Sequence, residues 1–116
     1  MKAAGWAPRA GDAVWLDFDP QAGREQAGRR PALVVSPLAY NAKVGLALMC
    51  PITHARKGYP FETPLPDGLP IQGVVLTDHV RSLDWRARRA ELICQLPDEV
   101  LQEVIAKLVA LVAGES

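Results

Sequence analysis

Apolar residues in this chain come in short runs separated by turn-forming residues, and only the last run repeats with a helical period. Residues 13–18 partly alternate and are rich in β-favouring side chains, which predicts a strand. Residues 32–36, opened by Pro31, are nearly all apolar, the pattern of a central strand covered on both faces. Residues 46–50 predict a third strand, stopped by Pro51. Residues 61–65 carry prolines at their flanks, which suits a short edge strand. Residues 71–77 form another β run with Gly73 as a candidate bulge, residues 80–83 follow, and residues 90–96 give a last strand. Between them, residues 37–44 predict one helical turn or a loop broken by Gly45, and Asp84 is placed to cap a short helix over 85–89.

The helical period begins after Pro97, with Asp98 and Glu99 favourable to the dipole of a first turn. Val100, Leu101, Val104, Ile105, Leu108, Val109 and Val112 form the apolar stripe, Gln102, Glu103 and Lys107 the polar face, and Gly114 can end the helix. Such a stripe is a packing surface, for a core or for an interface. Strands do not alternate with helices, so a doubly wound sheet is excluded. The expected class is mainly β with α: a small, strongly curved antiparallel sheet or partly closed barrel covered by the C-terminal helix. Residues 1–10 show no period and read as an arm, with Trp6 as a packing anchor and Trp15 expected in the core.

Composition adds little that is specific. At 116 residues the chain is expected to form one domain over 1–116, and 49% hydrophobic with 22% charged residues is an ordinary globular balance. Thirteen basic and thirteen acidic residues cancel, so an anionic partner must be held by a local patch. Cys50 and Cys94 lie far apart and are expected as buried free thiols in strands. The first residues lack the apolar centre of a signal peptide, and no apolar run reaches membrane-spanning length. The expectation is a cytoplasmic protein with no membrane partner.

The chemistry lies in two polar loops, Gly23-Arg24-Glu25-Gln26-Ala27-Gly28-Arg29-Arg30-Pro31 and Ile52-Thr53-His54-Ala55-Arg56-Lys57-Gly58. Phosphate-cradling and dinucleotide glycine motifs are absent, as is His-Glu-x-x-His, and neither a metal site nor a cofactor is expected. Guanidinium, ammonium, carboxylate and hydroxyl remain. Guanidiniums match phosphate oxygens, a neighbouring carboxylate can take a proton, and a hydroxyl can donate to a developing oxyanion. That set suits metal-free cleavage of an RNA phosphodiester, where the 2′-hydroxyl is the nucleophile. Residue types alone leave open that these are solvated loops.

A more specific signal runs along the chain. Gly11-Asp12-Ala13-Val14-Trp15-Leu16-Asp17-Phe18-Asp19-Pro20, the first loop, Ser36-Pro37, Tyr40-Asn41, Pro51-Ile52-Thr53, Lys57-Gly58-Tyr59-Pro60-Phe61-Glu62, Gly73-Val74-Val75-Leu76, Asp78 and Trp85-Arg86-Ala87-Arg88 together resemble the MazF/PemK family of toxin endoribonucleases. The resemblance implies a small SH3-like barrel of the MazF/CcdB type, a homodimer, and sequence-specific cleavage of single-stranded RNA. It implies products with 2′,3′-cyclic phosphate and 5′-hydroxyl ends, inhibition of translation, and a MazE-like antitoxin with a flexible acidic tail. By motif position, Arg30 would transfer protons and stabilise phosphate, Glu25 would be its partner or a general base, and Thr53 would stabilise the transition state. Lys57, Phe18, Asp78, His79, Gln26 and Arg86 would contact RNA, Phe18 by stacking on a base.

The chain departs from the family pattern in places. Arg29 stands where relatives can carry histidine, Leu76 stands where the PemK branch has a catalytic arginine, and His79 stands where glutamine is familiar. Two rival readings remain: a CcdB-like toxin that binds DNA gyrase through its C-terminal residues, and a noncatalytic SH3-like binding module.

Overall fold

The computed structural model describes residues 6–19 and 28–114. Its sheet is organised by β3 (Leu46–Thr53), which is long enough to serve three neighbours. One is β2 (Arg29–Val34), paired Ala32↔Pro51 to Val34↔Met49. On β3's first half lies β6 (Arg81–Asp84), paired Leu46↔Asp84 to Met49↔Arg81. On its last two residues lies β5 (Val74–Leu76), paired Ile52↔Val75 and Thr53↔Val74. Beyond these, β4 (Glu62–Pro64) is the edge beside β5, while β1 (Asp12–Asp17) and β7 (Glu91–Gln95) continue from β2. Every pairing is antiparallel. The sheet bends but stays open, with β4 at one end of its order and β7 at the other.

The near-continuous apolar strands are explained by cores on both faces. Alternate residues of one strand enter different cores. Ala13, Leu33, Cys50 and Ile52 face Val100, Leu101 and Val104 of α2 (Asp98–Ala113). Val14, Leu16, Ala32, Val34, Ala47 and Met49 face Leu83, Trp85 and Ala90. Trp6 anchors the entry, its ring edge-on to Trp85 with centroids 5.7 Å apart. A short helix, α1 (Leu38–Val44), closes at Gly45. Its buried Asn41 donates to Pro8 O and Ser36 O, each at 2.9 Å.

The structure corrects several expectations. Pro51 does not stop β3, because it sits between the β6 and β5 pairings, where β3 has a partner only on the β2 side. Arg29 and Arg30 are strand residues of β2, opposite Asp17 and Leu16, and not loop residues. Residues 85–89 form turns, not a helix. Asp84 Oδ1 does accept the N–H groups of Arg86 and Ala87, at 3.1 and 2.9 Å. The chain is then turned back into β7 by Arg89 at φ 56° and the Ala90 N–H to Trp85 O bond of 2.8 Å. Of residues 71–77 only Val74–Leu76 is strand. Gly73 is a point of close backbone approach and not a bulge. Trp15 is 38% exposed and outside the core, because its strand partners Pro31 and Glu91 lie at the rim. Cys50 is buried as expected, whereas Cys94 is half-buried.

Candidate active site

Thr53 ends β3 with its side chain buried, and its Oγ1 accepts the Ala55 N–H at 3.1 Å. That bond uses a lone pair, so the hydroxyl proton stays available for donation. The loop after it, residues 54–61, folds back over the opening below Thr53. There Thr53, Lys57, Tyr59, Glu62, Asp78 and His79 line a cavity of about 460 Å³. Asp78 and His79 arrive on a single 3-10 turn, Thr77–His79, directly after β5. The Tyr59 hydroxyl donates to Asp78 Oδ1 at 2.8 Å and ties the loop to that turn.

Arg30 approaches from the neighbouring strand. It lies on β2, two residues beyond that strand's last pair with β3, Ala32↔Pro51. Arg30 and His54 also line a second cavity, of about 670 Å³, with Trp15, Arg29, Pro31 and Gln72. The two cavities therefore flank the end of β3.

Electrostatics separates working groups from bracing groups. Burial pushes the Tyr59 phenol up to about 12, helped by the Asp78 carboxylate, so it remains a hydrogen-bond donor. Burial alone would raise the Glu62 carboxyl. The N–H groups of Lys57 and Gly58, with the charges of Arg56 and Lys57, outweigh it and hold the group below its ordinary value. Burial also pushes the Cys50 thiol up to about 12, which excludes it as a thiolate nucleophile. Among the described residues, no three of His, Cys, Asp and Glu are grouped as metal ligands.

Four of the expected site residues thus share one cavity: Thr53, Lys57, Asp78 and His79. Arg30 lies beside it. Two others stand elsewhere. Phe18 is 1% exposed within the Trp85 core, so the expected base stacking is corrected: a buried ring has no face to offer. Arg86 lies outside both cavities, its guanidinium 4.6 Å from the centroid of the Trp85 ring. Glu25 and Gln26 fall outside the described residues. The rest of the basic cluster is structural. Arg88 donates to the carbonyls of Asp17 and Asp19, and Arg89 and Arg29 both reach the Asp17 carboxylate. Sequence reasoning passed over Tyr59 and Glu62, although the spacing Lys57-Gly58-Tyr59-Pro60-Phe61-Glu62 held a signal. A carboxylate shortly after a glycine-containing turn can cap that turn's N–H groups.

Residues 9–112 match the family described as PemK-like, MazF-like toxins of type II toxin–antitoxin systems. The chain belongs to this family. Relatives agree with the assignment. The endoribonuclease toxin MazF of Escherichia coli K12 is 48% identical over 107 residues, which cover 92% of this chain and 96% of that protein. The endoribonuclease toxin ChpB of the same strain is 42% identical, covering 88% and 91%. Among solved structures, MazF from Deinococcus radiodurans superposes with a TM-score of 0.90 at 58% identity, covering 93% of this chain and 98% of that one. A MazE–MazF complex from the same organism superposes at 0.83 with 52% identity, covering 95% and 99%. Both the expected family and the antiparallel sheet with a C-terminal helix are therefore borne out. In this PemK-like, MazF-like chain, Thr53, Lys57, Tyr59, Glu62 and Asp78 of the family motifs meet around one cavity.

Proposed function

We propose that this protein is a toxin endoribonuclease that cuts single-stranded RNA without a metal ion. The observation that carries the reading is the gathering of Thr53, Lys57, Asp78 and His79 around one cavity, beside the strand that bears Arg30. The substrate's 2′-oxygen attacks the adjoining phosphorus and loses its proton to a base, for which Glu25 is the candidate. The bond from phosphorus to the 5′-oxygen breaks, and that oxygen takes up a proton. The products carry 2′,3′-cyclic phosphate and 5′-hydroxyl ends. Arg30 and Lys57 offset the charge that grows on the phosphate oxygens, and the Thr53 hydroxyl donates to one of them. Asp78 and His79 hold the flanking nucleotides. Arg86, over the Trp85 ring, does not line this cavity.

We further propose that two copies pair and that a cognate antitoxin holds the toxin inactive in the cytoplasm. Exposed Leu38, Tyr40 and Val44 on α1, with Leu48 on the adjacent β3, supply an apolar surface for pairing. The activity is tested by incubating the purified protein in EDTA with a long RNA, single-stranded or annealed to its complement. Discrete cuts in the single strand alone, with cyclic phosphate ends, are expected. Intact RNA across varied sequences would overturn the reading in favour of a gyrase poison or a noncatalytic module.

A further inference from the structure

The cavity contains a carboxylate that the reaction above does not use. Glu62 opens β4, the edge strand, and is 6% exposed. Its Oε2 accepts the Lys57 N–H and its Oε1 the Gly58 N–H, both at 2.8 Å. Gly58 has φ +83°, a backbone state that turns these consecutive N–H groups toward one acceptor pair. Glu62's own N–H donates to Tyr59 O at 3.1 Å, and its carbonyl receives Lys107 Nζ of α2 at 2.7 Å. Lys107 is itself held by Glu103 at 2.9 Å and Thr63 Oγ1 at 3.1 Å. One residue therefore joins the loop carrying Lys57 to the sheet and to the C-terminal helix.

We propose that Glu62 is the positioning residue of the reaction, acting through Lys57 to hold its ammonium against the scissile phosphate. The inference rests on the endoribonuclease reading. The role assigned to Glu62 is to hold the loop rather than to take the substrate's proton, since each of its oxygens accepts a backbone N–H of that loop. It fixes the Lys57 backbone, and with it the origin of a flexible side chain. Displacement of a substrate-positioning group by about 1 Å can cost about 100-fold in rate. The two N–H groups favour the charged carboxylate, which keeps the clamp closed at neutral pH.

The test is a double-mutant cycle on kcat/KM for RNA cleavage, with Glu62→Gln, Lys57→Ala and the pair. Glutamine turns one acceptor oxygen into an amide that opposes a backbone N–H. We expect Glu62→Gln to lower kcat/KM by about 10- to 100-fold in the native background. In the Lys57→Ala background it should lower it by less than about twofold, since the proposal routes the effect through the Lys57 side chain. Losses that multiply would overturn the proposal, as would an unchanged Glu62→Gln enzyme. Circular dichroism at assay temperature establishes folding, and if Glu62→Gln is unfolded the same cycle is read with Glu62→Asp. A native protein that cuts no RNA would instead refute the endoribonuclease reading, so the two failures are distinct.

Discussion

A Cβ built on Gly73 would lie 2.2 Å from the carbonyl oxygen of Thr53. Gly73 also has φ +123°, where side chains are strained whatever the space around them. The backbone leading into β5 thus passes hard against the residue that presents the cavity's hydroxyl. Gly73→Ala is expected to lower unfolding free energy by about 1–3 kcal/mol in a urea titration. RNA cleavage should fall further than stability does, because Thr53 must move to make room. A variant as stable and active as the native chain would refute this packing.

Tyr59 is expected to ionise late. With Tyr40 replaced by phenylalanine, Tyr59 is the remaining tyrosine. Its ultraviolet titration should show a midpoint near 12, because burial and the Asp78 carboxylate both oppose the phenolate. A midpoint near the ordinary value of about 10 would mean that the Tyr59–Asp78 bond is open in solution. Tyr59→Phe should reduce kcat/KM by about 10-fold, the scale of one lost hydrogen bond to a charged acceptor.

Asp17 gives the fold a pH dependence. Hydrogen bonds from Arg89 and then Arg29 hold its carboxyl below the ordinary value, as the Lys107 bond does for Glu103. A depressed folded-state pKa contributes stability above the unfolded value, lost as pH falls through the folded one. Asp12 works in the opposite sense, since burial holds its carboxyl up. Chemical denaturation should show native stability falling between about pH 5 and about pH 2, and falling less steeply in Asp17→Asn. Equal slopes for both proteins would remove Asp17 from the account.

Much of this was legible in the chain. Period and turn residues located the strands and the late helix, and the motif order gave the family. The failures have local causes. Pro51 was read as a stop because a single sequence does not show where a strand changes partners. Phe18 and Trp15 were misread because alternation puts them on opposite faces without saying which face is covered at that point: Phe18 continues the buried Val14 and Leu16 series, whereas Trp15 lies between Pro31 and Glu91 at the rim. The Glu62 clamp stayed hidden because it depends on Gly58 adopting a left-handed backbone, which glycine permits but does not require.

The apolar stripe of α2 divides into two parts. Val104 is fully buried under β1–β3, whereas Val112 is 81% exposed. Val104→Ala is expected to cost about 1–3 kcal/mol and Val112→Ala less than about 0.5 kcal/mol, read by thermal unfolding. A comparable loss at Val112 would show that the end of the helix is covered in solution by another surface.

The most direct test of the central claim uses RNA carrying a single 2′-deoxynucleotide immediately 5′ to a mapped cut. If the substrate's own 2′-hydroxyl is the nucleophile, that cut disappears in EDTA while other sites in the strand are still cleaved. Arg30→Ala should abolish cutting at all of them. Persistent cleavage at the deoxy position would contradict the account, because an external nucleophile would then have to be at work.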